Sequence, residues 1–212
     1  MMAPDVSIII PTFDRAGMLK QAIHSALAQT GIITEVIVVD DGSTDETPEV
    51  LASFENDVVS IRQENSGACA ARNHGLERAT GRFVKFLDSD DRLEPDSLAA
   101  QSSDLQQTAA DVSYGRWKEE GIEAKPGTLP PPRMTDEDAV DALLSDWWTP
   151  NFSYLYRRET ALLARWDAEL SSAQDFDYIL QIAISGARFV YTDVMTGYYL
   201  FHGEERTSRR KL

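Results

Sequence analysis

Four times in the first half of the chain a short apolar run gives way to a helical period, and this alternation restricts the fold more than any other feature. Val6-Ser7-Ile8-Ile9-Ile10 is β-branched and apolar, the composition of a strand covered on both faces, and Pro11 is read as its end. From Ala16 to Gln29, apolar Leu19, Ile23, Ala26 and Leu27 recur at helical spacing, and Gly31 follows as a stop. Val36–Val39, Val58–Arg62 and Phe83–Leu87 supply three further strands. Helices are expected over about Glu46–Phe54, capped by Thr44 or Asp45, and about Ala68–Ala79. Repeated strand–helix–strand units imply right-handed crossovers and a mostly parallel central sheet flanked by helices. Such sheets bind their ligands beyond the carboxyl ends of the strands. Thr12-Phe13-Asp14-Arg15, Asp40-Asp41-Gly42-Ser43 and Asp88-Ser89-Asp90-Asp91 all fall at such ends. One face of one sheet is singled out.

The second half is less regular. Asp96–Gln107 and Asp175–Ser185 carry helical periods, and Asp111–Trp117, Phe152–Tyr156, Phe189–Val194 and Gly197–Phe201 read as strands. Arg158–Trp166 is expected to be a short helix. Glu119–Arg133, with three consecutive prolines, reads as a surface loop, and Thr135-Asp136-Glu137-Asp138 as a capping box opening a helix that ends near Trp148. No linker or repeat divides the 212 residues, which suffice for a single domain.

A formal net charge of -15 argues against binding nucleic acid or an anionic membrane, both of which require a positive field. Cys69 is the only cysteine, which excludes an internal disulfide and fits a reducing, cytoplasmic setting. Met1–Asp5 lacks the basic and apolar regions of a signal peptide, and no run approaches the ~20 apolar residues of a membrane span. The expectation is a cytoplasmic protein without an integral membrane segment, attached peripherally to a membrane at most through partners, and compatible with an oligomer.

The acidic turns carry the chemistry. Three carboxylates in Asp88-Ser89-Asp90-Asp91 repel one another unless a cation or solvent neutralises them, and oxygen-only clusters suit Mg²⁺ or Mn²⁺ bridging to a diphosphate. The plainer reading is a solvated turn with Asp91 capping a helix; the position at the end of a buried strand favours the metal. Asp40 or Asp41 is placed to accept from a base N–H or a ribose hydroxyl, or else merely serves a tight turn. The turn Pro11–Gly17 is not a G-x-G-x-x-G, and no G-x-x-x-x-G-K-[ST], H-E-x-x-H, C-x-x-C or G-x-S-x-G occurs. Dinucleotide oxidoreductases, P-loop enzymes, zinc enzymes and nucleophile-elbow hydrolases are disfavoured.

Four motifs in order complete the pattern: Ser7–Arg15, Val38–Asp45, Asn65-Ser66-Gly67 with Ala71-Arg72-Asn73-His74-Gly75, and Gly81 with Phe86–Asp91. Together they resemble glycosyltransferase family 2, densely over the first half of the chain. The resemblance implies an A-type glycosyltransferase fold, a single α/β domain with residues 1–110 as its nucleotide-sugar half and 111–212 as its acceptor half. It implies inverting transfer from a nucleotide-diphosphate sugar, a UDP-sugar foremost, to a hydroxyl of a sugar, lipid-linked or other acceptor, in polysaccharide or glycoconjugate synthesis. By the same resemblance Pro11, Thr12 and Asp14 line the nucleoside, Asp41 or Asp40 contacts the base, and Arg72 lies near the donor. Asp88 and Asp90 match the D-x-D pair that holds ribose and metal, and His202 matches a late histidine near the metal. Asp175 stands where the family places its catalytic base, with Gln174 where Glu is usual. Trp147, Trp148 and Trp166 are read either as acceptor-stacking or as packing residues. Two other readings stand beside this one: a non-catalytic nucleotide-sugar-binding module, and a sugar-nucleotide pyrophosphorylase, which normally carries a glycine-rich basic loop that is lacking after Ile10.

Overall fold

The computed structural model describes residues 3–121, 128–129, 139–145 and 149–201. In chain order they form β1 (Val6–Thr12), α1 (Ala16–Leu27), β2 (Thr34–Asp40), α2 (Thr47–Ala52), β3 (Val59–Arg62), α3 (Ala68–Arg78), β4 (Phe83–Phe86) and β5 (Arg92–Leu93). There follow α4 (Ser97–Gln107), β6 (Val112–Gly121), β7 (Thr128–Leu129), α5 (Ala139–Leu144), β8 (Tyr154–Arg157), α6 (Arg158–Ala161), α7 (Gln174–Ile184) and β9 (Phe189–Phe201). The strands join in one sheet of order β3-β2-β1-β4-β8-β6-β9-β5, with β7 added to β6. This is the expected single α/β sheet flanked by helices. The N-terminal half, β3-β2-β1-β4, is wholly parallel. Beyond it β8 runs antiparallel to both β4 and β6, while β6 and β9 are parallel to each other.

Side-chain alternation splits the core into two layers. Ile9, Ile37, Val39 and Phe86 point to one face and meet α3, α5 and α7. Ile8, Ile10, Val36, Val38 and Phe83 face the other and meet α1, α2 and α4. β1 is buried over its full length, which accounts for its run of isoleucines.

Several boundaries differ from expectation. β1 does not stop at Pro11 but runs through it to Thr12. Ile9 accepts from the Leu87 N–H on its β4 side. By strand alternation the nitrogen of Pro11 faces that same side, where β4 pairing has already ended, so its missing donor costs no ladder bond. Arg158–Trp166 is helical only to Ala161. The two closing strands are one, β9, because pairing with β6 continues through irregularities in register near Arg116. The two-residue β5 was not foreseen. The expected capping box at 135–138 and the Trp147-Trp148 pair lie outside the described residues.

The two halves are knit together by a buried amine. Lys85 on β4 is fully buried and donates to Gln101 Oε1 (2.7 Å) and to the Phe152 carbonyl (2.8 Å). Gln101 on α4 in turn donates to the Ser153 carbonyl at 2.9 Å. No carboxylate partners the amine in these bonds, and burial pushes its pKa well below the ordinary 10.5. In the unfolded chain this lysine is protonated at neutral pH, whereas in the folded chain it has released its proton above the lowered pKa. Stability should therefore rise with pH between the two values, by up to about 1.4 kcal/mol per unit. Lys85→Met removes the linkage, and urea unfolding at pH 7, 8 and 9 is expected to give a flatter profile for the variant than for the wild type.

Candidate active site

The carboxyl ends of β1 and β2 are clasped to each other before any ligand is considered. Asp14, with a left-handed backbone (φ 48°), accepts at Oδ1 from the Thr44 N–H (2.7 Å), and its own N–H donates to Ser43 Oγ (3.0 Å). Asp45 accepts from the first N–H groups of both α1 and α2, at Ala16 (3.1 Å) and Thr47 (2.9 Å). Asp40 is buried, its Oδ1 taken by the Ser43 N–H (2.9 Å) and its Oδ2 by Arg62 (2.5 Å). Asp41 is likewise buried and accepts from Gln63 Nε2 (2.7 Å), the Ser66 N–H (2.8 Å) and the Gly67 N–H (2.7 Å). The Asp40 and Asp41 carboxylates thus hold the turn and the 63–67 loop. Pro11 and Thr12 are the last two residues of β1, both buried, and Thr12 Oγ1 has no protein partner.

Beyond β4 the side chains of Asp88, Asp90 and Asp91 converge, with one carboxylate oxygen from each lying within 4.8 Å of the others. Asp91 is buried and accepts from the Leu200 N–H (2.9 Å), which ties the cluster to β9. A donor set made only of carboxylate oxygens fits a hard divalent cation. Among the described residues this is the one group of three or more such ligands brought together. His202, expected near the metal, lies outside the described residues.

Arg72 joins the cluster to α7. Its side chain, 6 % exposed, projects from α3, and Nη2 donates to Asp88 Oδ1 at 2.6 Å and lies 3.9 Å from Asp175 Oδ1. Its guanidinium plane rests on the Trp166 ring, 4.5 Å from the centroid, and that ring stacks flat on Tyr178 of α7 at 4.3 Å. The adjacent Asn73 fixes the platform, donating to the Trp166 carbonyl (2.8 Å) and accepting from the Trp166 N–H (3.1 Å). Trp166 is 1 % exposed, which makes it packing and not an acceptor-stacking surface. Sequence reasoning missed this anchoring role of Asn73; its place directly after Arg72 in one helical turn was the available signal.

Asp175 sits in the first turn of α7 with a third of its side-chain surface open. Desolvation raises its pKa to about 6; Arg72 opposes the rise and Asp88 adds to it. Asp177 is engaged elsewhere, accepting from Gln181 Nε2 at 2.6 Å. Gln174, in place of the expected Glu, donates from Nε2 to the Leu170 carbonyl (2.8 Å), a bond that a carboxylate has no proton to make. The residue before it, Ala173, adopts a left-handed conformation (φ 57°), so the entry to α7 is strained and held by its surroundings.

Removing the cation should loosen the whole assembly. Arg72→Met leaves Asp88 without its charged partner and Trp166 without its cation. The expected loss is about 1.5–3 kcal/mol by chemical unfolding, with Arg72→Lys recovering part of it.

Comparisons place this geometry. The family model "Glycosyl transferase family 2" matches residues 7–165. TuaG of Bacillus subtilis (strain 168), named for teichuronic acid biosynthesis, is 36 % identical over 144 residues, 65 % of this chain and 57 % of its own. The chain therefore spans little more than half the length of that curated relative. TarS 1-349 of S. aureus in complex with UDP-GlcNAc superposes with a TM-score of 0.79 at 23 % identity, over 98 % of this chain and 62 % of the TarS 1-349 chain. The mannosyltransferase PcManGT of Pyrobaculum calidifontis, in complex with GDP-Man and Mn²⁺, gives 0.67 at 22 %, over 97 % and 59 %. These two likenesses concern the fold. The four ordered motifs, the acid cluster beyond β4 and the match over residues 7–165 agree, and the chain belongs to glycosyl transferase family 2.

Proposed function

We propose that this chain transfers a glycosyl group from a nucleoside-diphosphate sugar to an acceptor hydroxyl, with inversion at the anomeric carbon. The observation that carries the reading is the juxtaposition of Asp175 with the Arg72–Asp88 pair, which sets a part-open carboxylate of raised pKa beside an oxygen-only cation site. The solved neighbours named for complexes with UDP-GlcNAc and with GDP-Man and Mn²⁺ support a nucleotide-sugar donor and a divalent ion.

The nucleoside lies over the ends of β1 and β2, against Pro11, Thr12 and Asp14, in a groove whose far wall is the 63–67 loop held by Asp41. Asp88 and Asp90, with Asp91 beside them, would hold Mn²⁺ or Mg²⁺, which would supply charge neutralisation at the diphosphate. Asp175 accepts the proton of the acceptor hydroxyl as that oxygen bonds to the anomeric carbon and the bond to the diphosphate breaks. Its raised pKa makes it a stronger base than an ordinary aspartate while leaving it ionised at pH 7. Arg72 orients it and balances the two carboxylates on either side. A single displacement needs no covalent sugar–protein species.

Two measurements test this. Calorimetry of a nucleoside diphosphate should show binding with Mn²⁺ that is largely lost in chelator and in Asp90→Asn; equal affinity in all three conditions refutes the metal assignment. Asp175→Asn should retain nucleotide affinity yet transfer about 10²–10⁴-fold more slowly. In the wild type the rate should fall below about pH 6, where Asp175 takes up its proton. The variant is also expected to be at least as stable as the wild type at pH 7. A carboxyl whose folded pKa is raised destabilises the fold once it is ionised, and Asn carries no such charge. Nucleotide-sugar binding with no transfer or hydrolysis by the wild type would instead mark a binding module.

A further inference from the structure

On the flank of the site, away from the cation cluster, a cavity of about 590 Å³ opens between α3 and the segment that leads to α7. That volume lies within the range of small-ligand sites. Its floor is fixed by two side-chain amides that read backbone in both directions. Asn73 of α3 pairs with the N–H and C=O of Trp166, and Gln181 of α7 pairs with those of Arg165, at 3.2 and 3.1 Å. Four such bonds leave the Arg165–Trp166 backbone little freedom, so the cavity is preorganised. Its rim is polar: His74 and Glu77 from α3 face Arg165, Asp167 and Glu169 from the opposite segment. Glu77 and Glu169 are exposed, and neither they nor the Arg165 guanidinium enter an ion pair found among the described residues.

Trp166 links the cavity to the site: it lines the cavity and also lies under the Arg72 guanidinium, 4.5 Å from the ring centroid, and Arg72 Nη2 is 3.9 Å from Asp175 Oδ1. Ala70 and Glu77 both line the cavity, and since they stand seven positions apart along α3 it extends for roughly 10 Å down the helix, away from the sheet's carboxyl ends. Pro11, Thr12 and Asp14, against which the nucleoside is placed, do not line it.

Resting on the transfer reading above, we propose that this cavity seats the acceptor, and that the acceptor is an uncharged, hydroxyl-rich saccharide chain. Carboxylates such as Glu77 and Glu169 accept in pairs from vicinal hydroxyls, the Arg165 guanidinium donates to ring and hydroxyl oxygens, and His74, whose Nδ1–H is taken by the Gln63 amide oxygen, accepts from a hydroxyl at its other ring nitrogen. Three carboxylates against one guanidinium select against a phosphate- or uronate-bearing chain, which would meet repulsion along the rim. Trp166, buried in the floor, contributes shape and not a stacking face.

The test is an NMR titration of the ¹⁵N-labelled chain with four neutral tetrasaccharides (of the malto, cello, manno and chito series) and with tetragalacturonate. UDP with Mn²⁺ is titrated in parallel. At least one neutral chain should shift the amides of Asn73, Glu77 and Ala168, and tetragalacturonate should bind at least tenfold more weakly. The double variant Glu77→Ala, Glu169→Ala and the cavity-filling Ala70→Phe should each weaken that neutral binding tenfold or more, with the response to UDP retained as the measure of an intact fold. Absence of neutral-chain binding, preference for tetragalacturonate, or binding indifferent to both variants overturns the proposal. If the wild type binds the neutral chain here but gives no response to UDP, the transfer reading is what fails.

Discussion

The Arg72 guanidinium is the charge on which the site is built. It is nearly buried, and a buried cation persists only where opposite charge and hydrogen bonds compensate its lost hydration. Asp88 supplies the direct bond, Asp175 the second negative charge, and Trp166 a π face. These partners come from the turn after β4, the first turn of α7 and the segment leading into it. One side chain therefore fixes the relative positions of a cation-binding turn and a candidate base that lie almost ninety residues apart in sequence. Were Arg72 neutral, two carboxylates would face each other across a poorly solvated gap and the loops would part.

The same economy governs the nucleotide end, where carboxylates are spent on backbone. Asp14, Asp40, Asp41 and Asp45 each accept from main-chain N–H groups of neighbouring turns or helix starts, which would otherwise go unpaired. The acidic composition of the chain is thus partly structural at this face. Parallel strands bring several loop ends to one edge, and short acceptors on those loops are what keep them in a single arrangement.

Packing behind the site explains why it is held so closely. Gly75 of α3 faces β1 at a distance where a Cβ would stand 2.4 Å from Ile9 Cγ2. The helix that carries Arg72 and Asn73 consequently lies directly on the central strand. Phe86, Tyr156, Trp166 and Tyr178 pack edge-to-face and stacked beneath Asp175, an apolar bed whose low polarity raises the carboxyl's pKa. The Asp175 carboxyl holds its proton more tightly than usual for the reason that Arg72 is needed: both sit over a core that solvates charge badly.

The sequence by itself determined the architecture of the first half. Local patterns decide it, since β-branched runs, helical periods and acid-rich turns are contiguous, and right-handed crossovers leave little choice of topology. It also singled out Asp88, Asp90 and Asp175, because their motifs are short and ordered along the chain. What the tertiary structure alone decided depends on residues far apart. Arg72 proved to pair with Asp88, Asp41 to grip the 63–67 loop, and Trp166 to serve as a buried platform; none of these follows from spacing. The second half was read least well, since its strands pair across long separations, β8 and β9 both finding β6. An isolated two-residue strand such as β5 has no periodicity to betray it. Its existence rests on hydrogen bonds to β9, about a hundred residues away, and only the folded chain brings those partners together.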